Sequence, residues 1–230
     1  MKLTEGSDQE KVRKVHDYMC RKIAYDYGGA NISDVSRFIA AHNIIGVFAH
    51  KKAQCEGIAK AAKVLLNAVD VRCIVLFGEA VNETGKMTDH AWNIVNIEGT
   101  PCHLDITFDI GTGFEDMISY DYYSVTDSQI RKDHVFSTGF PRCTVTRYNY
   151  FEELGLAFSS KMILRKYISR EVKRGALMIY VRLTGKLKVK EVADEITEYA
   201  LKEICDRGKI VATGFKVVNG AANTLRIVFR

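Results

Sequence analysis

The chain has 230 residues, of which 47% are hydrophobic and 27% charged, and its formal net charge is +5. This composition excludes a disordered chain and provides enough apolar residues for one domain of ordinary size and a smaller second one. No run of eighteen apolar residues occurs, so we expect no transmembrane helix and no membrane partner. The polar N-terminal segment lacks the apolar stretch of a signal peptide, which favours a cytoplasmic protein and leaves open a domain excised from a secreted one.

Helices are predicted where apolar residues recur at helical spacing, over residues 8–24, 38–48, 55–69 and 189–205. Strands are predicted over residues 71–77, 90–97, 102–108, 177–183, 211–218 and 224–229, the last two forming a hairpin with Asn219-Gly220 at its turn. Residues 109–147 read as loop-rich. The basic and acidic residues are unevenly divided, with a net charge of −4 over residues 1–155 and +9 over residues 156–230. We therefore expect two domains that meet at this point.

Six cysteines are scattered along the chain without a C-x-x-C motif or a Cys/His cluster at zinc spacing. Their even number is compatible with three disulfides, but a core of this size favours reduced thiols. We expect no metal and no cofactor. A calcium-binding loop of clustered acidic residues is also absent from the sequence.

Cys55 stands where a helix is predicted to begin, in the segment Gln54-Cys55-Glu56-Gly57. Unpaired backbone N–H groups and the helix dipole at such a position favour a thiolate, and the same N–H groups can bind a developing oxyanion. Gly57 is expected to leave room for a substrate backbone, whereas the charge of Glu56 opposes thiolate formation if it lies close. The alternative is a small buried side chain, which suits Cys73 and Cys102 better because both lie in apolar strands.

A second candidate element is the hairpin formed by residues 90–97 and 102–108. With a two-residue turn at Glu98-Gly99, the residue numbers of any cross-strand pair add up to 197, so Trp92 is paired with Asp105. His90 lies on the same face as Trp92 and is therefore a diagonal neighbour of Asp105. The carboxylate can orient the imidazole, whose other nitrogen is then able to take a proton from a thiol. The alternative is an ordinary cross-strand contact at the surface.

Three blocks of sequence resemble the motifs of the transglutaminase-like superfamily, in an order and spacing similar to those of its bacterial members. They are Gln54-Cys55-Glu56-Gly57-Ile58-Ala59-Lys60-Ala61, His90-Ala91-Trp92-Asn93-Ile94-Val95 and His103-Leu104-Asp105-Ile106-Thr107-Phe108-Asp109. The preceding helix and the segment from Asp133-His134 to Pro141 are similar to the flanking parts of that family. The resemblance covers residues 10–145 and leaves the basic C-terminal region unexplained.

The resemblance implies an α+β, papain-like core in which helices pack on an antiparallel sheet, and we assign this core to residues 1–155. The charge shift and the renewed pattern of strands and helix predict a small basic α/β domain over residues 156–230. It also implies a catalytic triad of Cys55 as nucleophile, His90 as general base and acid, and Asp105 as the orienting residue. Trp92 lies beside the site by its place in the motif. Ile58 stands where an aromatic residue is common and Phe108 where tryptophan is common, while Lys51-Lys52-Ala53 precede the nucleophile; these departures leave the triad intact but affect substrate preference.

The expected function is thiol acyl transfer through a Cys55 thioester, with hydrolysis of a peptide or protein amide favoured over protein cross-linking. Trp92, Gln54, Gly57 and His134 are the predicted substrate-binding residues. His134 is placed in a loop after the core that could line the cleft, and the alternative is an ordinary exposed loop histidine. The alternative is a non-catalytic binding module that uses its basic C-terminal domain, and Lys51 and Lys52, for an anionic partner. The usual explanation of such charge is a solvated surface. A nucleic-acid partner is disfavoured because residues 156–230 lack an aromatic and basic RNA-binding signature.

Overall fold

The computed structural model describes residues 4–29, 31, 33–113, 117–208 and 213–230. The chain divides into two compact units, Met1–Asn149 and Tyr150–Arg230, whereas the charge shift suggested a boundary at residue 155. Among the described residues, no helix is long and apolar enough to span a bilayer. None of the six cysteines forms a disulfide bond.

The first unit begins with three helices and a short parallel pair of strands. These elements are α1 (Asp8–Lys22), β1 (Ala24–Tyr25), α2 (Val35–Ala41), α3 (Ile44–His50) and β2 (Lys52–Ala53). A capping box between Ser7 and Glu10 starts α1, whose apolar stripe is buried as predicted. The single helical stretch predicted over residues 38–48 is wrong, because Asn43 caps the start of α3 with its side chain and breaks the segment into two helices.

The sheet of the first unit is antiparallel throughout, in the order β5-β4-β3-β6. It follows helix α4 (Cys55–Asn67) and contains β3 (Cys73–Val81), β4 (Met87–Ile97), β5 (Thr100–Leu104) and β6 (His134–Val135). Ile97 pairs with Thr100, so the turn between β4 and β5 is the two residues Glu98-Gly99, both with positive φ. The predicted hairpin register is therefore confirmed.

The second strand of this hairpin is shorter than the sequence suggested. It ends at Leu104, and helix α5 (Ile106–Thr112) replaces the strand expected up to residue 108. The side chain of Asp105 accepts a hydrogen bond from the Phe108 N–H and caps the new helix. Apolar alternation alone did not reveal this cap. The first unit also contains the short helix α6 (Asp127–Ile130), and the second unit begins with the short helix α7 (Tyr150–Glu153).

Helix α4 is fixed to the sheet by its buried face and by one amide side chain. Ile58, Ala62 and Leu66 are buried, which confirms the predicted apolar stripe. The Nδ2 group of Asn93 on β4 donates to the carbonyl oxygens of Ala59 and Ile74, at 3.0 and 3.1 Å. These bonds join α4, β3 and β4, the elements that carry Cys55 and His90.

The second unit is a four-stranded mixed sheet with two long helices. Its elements are β7 (Ala157–Phe158), α8 (Lys161–Lys173), β8 (Met178–Leu183), α9 (Val189–Gly208), β9 (Gly214–Asn219) and β10 (Thr224–Phe229), in the strand order β7-β8-β10-β9. A buried cluster that includes Leu164, Ile196 and Ile227 forms its own core. Asn219 pairs with Thr224, so the closing loop has four residues and the expected turn at Asn219-Gly220 is wrong. The first residues of the predicted strand 211–218 lie outside the described residues.

Candidate active site

Cys55 is the first residue of helix α4, as predicted, and follows Gln54 at the N-cap position. The N–H groups of this first turn have no acceptor within the helix and point toward the end that carries the thiol. Cys55 is partly exposed, whereas Cys73, Cys102 and Cys143 are buried. Burial raises the pKa of the Cys73 and Cys102 thiols to about 12. The accessible thiol at a helix terminus is therefore the better nucleophile of these four.

Glu56 does not act as an isolated negative charge beside the thiol. Its carboxylate forms ion pairs with Lys60 at 2.7 Å and with His42 at 3.1 Å. Burial acts to raise the pKa of Glu56, but the hydrogen bonds and charges of Lys60 and His42 outweigh it and lower the pKa. The opposition to a thiolate that the sequence suggested is thus reduced by the ion pair with Lys60 and the hydrogen bond with His42.

His90 and Asp105 form a short buried hydrogen bond. The Nε2 atom of His90 lies 2.6 Å from Oδ2 of Asp105, which follows from the β4–β5 register. Burial acts to lower the pKa of His90, but the charge and hydrogen bond of Asp105, together with Cys55, raise it to about 10. His90 is therefore protonated at neutral pH and provides a positive charge beside the thiol.

Asp105 is fully buried and accepts three hydrogen bonds. Its Oδ1 atom accepts from the Phe108 N–H at 3.0 Å, and Oδ2 lies 2.6 Å from His90 and 3.0 Å from His134. Burial acts to raise its pKa, yet the charge of His90 and the hydrogen bonds of both histidines hold the pKa well below its usual range. The carboxylate therefore remains ionised and can orient an imidazole.

The Cys55 thiol lies close enough to the His90 ring to contribute to its raised pKa, through charge and through a side-chain hydrogen bond. Because Asp105 occupies Nε2, the nitrogen that can exchange a proton with the thiol is Nδ1. The imidazole thus lies near the thiol on one side and is hydrogen-bonded to the carboxylate on the other. This geometry can generate a thiolate–imidazolium pair and return the proton to a leaving group.

Trp92 supports the imidazole and is not part of an open surface. Its ring stacks on His90 with centroids 5.7 Å apart, and only 1% of the residue is exposed. Its Nε1–H donates to Nδ1 of His103 at 3.1 Å, and Nε2 of His103 lies 2.9 Å from Asp127. Hairpin parity places Trp92 and His103 on one face, so this partner of His103 could have been found from the sequence.

Two of the other predicted substrate-binding residues, Gln54 and Gly57, are buried and pack against other parts of the first unit. Gln54 is buried and its amide nitrogen donates to the carbonyl of Asp26 at 3.0 Å. Gly57 is also buried, and a Cβ there would lie 2.4 Å from the carbonyl oxygen of Ala41. The expectation that Gly57 leaves room for substrate is wrong, because this space is filled by the chain that precedes α3.

His134 was expected in a loop after the core, either lining the cleft or simply exposed, and the loop position is wrong. It lies in strand β6 opposite Ala80, with 1% of the residue exposed. Its Nε2 atom is 3.0 Å from Asp105 and its Nδ1 atom is 2.6 Å from Asp133. The sequence spacing could not predict this contact. It depends on the two-residue strand β6, in which His134 pairs with Ala80, 54 positions earlier in the chain.

Two groups of side chains in the described part of the chain have ligand atoms near enough to share a metal ion, namely His90 with Asp105 and His134, and His103 with Asp127 and Cys143. In the second group, Trp92 donates to Nδ1 of His103, so Nε2 carries the proton. A metal at Nε2 would force two N–H groups to face each other. The first group is held together by hydrogen bonds that a metal would have to break.

The first unit combines an antiparallel sheet and packed helices with a thiol at a helix N-terminus and a buried His–Asp pair. Residues 1–106 match the sequence model of the Transglutaminase-like superfamily. This match confirms the predicted resemblance over the first two motifs and the first four residues of the third.

Curated relatives and a solved structure are each similar to a little under half of the chain. Kyphoscoliosis peptidase of Mus musculus is 29% identical over 117 residues, which cover 48% of this chain and 17% of that protein. The Homo sapiens protein of the same name is 28% identical over 120 residues, with 49% and 17% covered. The chain thus spans about a sixth of the length of these relatives. A crystal structure of a TGase aligns with a TM-score of 0.39 and 21% identity, over 45% of this chain and 27% of that one.

Proposed function

We propose that the first unit is a thiol acyl-transfer enzyme that hydrolyses a peptide or protein amide through a thioester on Cys55. The observation that carries this proposal is the buried hydrogen bond of 2.6 Å between the His90 imidazole and the Asp105 carboxylate, near enough to Cys55 for the thiol to raise the pKa of His90. The similarity to a peptidase agrees with it.

In the proposed reaction, the Cys55 thiolate attacks the amide carbonyl carbon and forms a tetrahedral intermediate. The N–H groups of the first turn of α4 stabilise its oxyanion. His90 gives its proton to the leaving amine, so the C–N bond breaks and a thioester remains. Water, deprotonated by His90, then attacks the thioester and releases the acid, which restores the thiol centre.

The first test is selective alkylation by iodoacetamide at neutral pH, followed by peptide mass spectrometry. We expect Cys55 to react much faster than Cys205, which is also partly exposed, and faster than the buried Cys73. If Cys55 reacts no faster than Cys205, the activated thiol is excluded and the non-catalytic binding module becomes the better explanation.

The second test detects the thioester. A mixture of fluorogenic peptide amides is incubated with the protein and with the Cys55→Ala variant, and the acyl-enzyme is trapped with hydroxylamine. We expect hydrolysis and trapping only with the unsubstituted protein. Addition of a primary amine distinguishes the outcomes, because a cross-linking transglutaminase would transfer the acyl group to the amine in preference to water.

We also propose an anionic partner for the second unit, because one groove there is strongly basic. The groove has a volume of about 760 Å³ and is lined by Lys161, Arg165, Lys166, Arg170, Lys173 and Tyr199. Glu195 forms ion pairs with Lys161 and Arg165, and Glu171 with Arg170. Lys166 and Lys173 have no acidic partner within ion-pair distance among the described residues, so their charges are available to an anion.

Retention on heparin tests this second proposal. We expect the variant with Lys166→Glu and Lys173→Glu to elute at a clearly lower salt concentration than the unsubstituted chain. The matched control is Lys186→Glu with Lys188→Glu, which changes the net charge equally at exposed positions outside the groove. Equal losses in the two variants would show that only the net charge matters and would contradict a binding groove.

A further inference from the structure

His134 is held between two carboxylates by both of its ring nitrogens. Nε2 lies 3.0 Å from Oδ2 of Asp105 and Nδ1 lies 2.6 Å from Oδ1 of Asp133. An ionised carboxylate can only accept hydrogen bonds, so both nitrogens must donate if both acids are ionised. The geometry is therefore that of an imidazolium in a bridge between Asp105 and Asp133.

The far side of this bridge is itself fixed. The Tyr122 hydroxyl donates to the second oxygen of Asp133, at 2.5 Å. The His134 ring packs against Trp92, Phe108 and Tyr122, with centroid distances of 5.0, 4.6 and 5.6 Å. The imidazole thus has little freedom to rotate, and its Nε2–H is aimed at Asp105.

Asp105 needs such support because its position determines that of His90. The same Oδ2 atom accepts from His90 at 2.6 Å and from His134 at 3.0 Å, while Oδ1 caps α5. Loss of the His134 bond would leave Oδ2 held only by the ring that it is meant to orient. The carboxylate could then rotate away from the line between His90 and Cys55.

We propose that His134 is a positioning residue of the thiol centre, which acts as an imidazolium that anchors the Asp105 carboxylate against Asp133. This inference rests on the proposed thiol chemistry of Cys55 and extends it to a fourth side chain. Burial acts to lower the pKa of His134, but the hydrogen bonds and charges of Asp105 and Asp133 raise it. The balance of these effects agrees with a doubly protonated ring.

The test is the rate of Cys55 alkylation at neutral pH in three variants of the full chain. His134→Gln places an N–H donor where Nε2 stands, His134→Asn places one where Nδ1 stands, and His134→Leu has no donor. We expect the Leu and Asn variants to react about tenfold more slowly than the unsubstituted chain, and the Gln variant to recover most of the rate. Recovery by Gln alone would identify the bond to Asp105 as the one that matters.

Equal rates in all four proteins, or equal losses in the Gln and Leu variants, would overturn the proposal. The control is His16→Leu, because His16 is also fully buried between two carboxylates, Asp17 and Asp109, but does not contact Asp105. It should lower the melting temperature without slowing Cys55. Alkylation needs no substrate, so a failure to hydrolyse amides would count against the proposed function and leave this test intact.

A measurement on the unsubstituted protein covers the case in which the variants do not fold. Ring ¹⁵N chemical shifts distinguish protonated from unprotonated imidazole nitrogens. We expect both nitrogens of His134 to carry protons at pH 7. A neutral His134 with one unprotonated nitrogen would overturn the proposal, because one of the two carboxylates would then face a lone pair.

Discussion

Asp105 carries two functions with one carboxylate, since one oxygen caps α5 and the other binds the imidazoles of His90 and His134. The position of the residue follows from both neighbours in the chain: it comes directly after the last residue of β5 and directly before α5. A helix N-terminus also stabilises a negative charge. The carboxylate that orients His90 is therefore held in place by backbone as well as by side chains.

The two functions of Asp105 can be separated by substitution. Asp105→Asn retains a good helix cap but loses the charge, whereas Asp105→Ala loses both. We expect both variants to slow Cys55 alkylation at pH 7 by tenfold or more, since neither can stabilise the His90 imidazolium. Denaturation in urea should show the Ala variant to be less stable than the Asn variant by about 1 kcal/mol. Equal stabilities would contradict the capping role.

At the scale of single elements, the first turn of α4 packs so closely against the backbone of residues 41–43 that Gly57 has no room for a side chain. A Cβ on Gly57 would approach the carbonyl oxygens of Ala41 and Asn43 to 2.4 and 2.9 Å. Backbone atoms cannot move aside as the end of a flexible side chain can. Gly57 is thus required for packing at the end of the helix that presents Cys55.

We expect Gly57→Ala to lower the free energy of unfolding by about 1–3 kcal/mol, because overpacking outweighs the helix propensity that alanine gains. The matched control is Gly111→Ala in α5, where a Cβ would meet no atom within 4 Å. That substitution should be neutral or stabilise the protein by about 0.5–1 kcal/mol. Urea denaturation of both variants checks the prediction, and a neutral Gly57→Ala would show that α4 can shift.

For the whole molecule, the raised pKa of His90 links stability to pH. The folded state holds this proton up to about pH 10, whereas the usual value is 6.5. The resulting stabilisation is complete below pH 6.5 and is lost as the pH rises toward 10. We expect the first unit to lose stability over this range. The His90→Gln variant should lose much less of its free energy of unfolding over the same pH range. An equal loss in both proteins would contradict the raised pKa of His90 as the cause.

Trp92 provides the measurement for this prediction. It is the sole tryptophan of the sequence and lies in the first unit, so its fluorescence during urea unfolding reports that unit. Unfolding curves at pH 6.5, 8 and 10 give the free energy as a function of pH.

The second unit has its own buried core, so we expect residues 150–230 to fold alone with a cooperative thermal transition followed by circular dichroism. Leu164→Ala should lower the free energy of unfolding by about 2–5 kcal/mol, since Leu164 is fully buried. Leu177→Ala is the control, because Leu177 is 78% exposed, and it should change the value by less than about 0.5 kcal/mol. Equal effects would argue against this core.

Rules of local sequence were sufficient to predict the structure wherever residues close in sequence are also close in space. Helical spacing predicted α1 and α4, and the two-residue turn at Glu98-Gly99 set the register that brings His90 to Asp105. The motif blocks added Cys55 to this pair by resemblance, since no local rule connects a helix to a strand 35 residues later. The alternation of side chains along the hairpin also places Trp92 and His103 on the same face, where they form a hydrogen bond.

Tertiary structure alone decided the rest. His134 reaches Asp105 because β6 pairs with β3, and Gly57 is buried because α4 packs on the chain before α3. Such contacts join segments far apart in sequence, and their geometry depends on how whole elements pack rather than on any spacing along the chain. The sequence by itself therefore determined helices α1, α4 and α9, the β4–β5 hairpin and the His90–Asp105 pair, while packing decided that two buried histidines share one carboxylate.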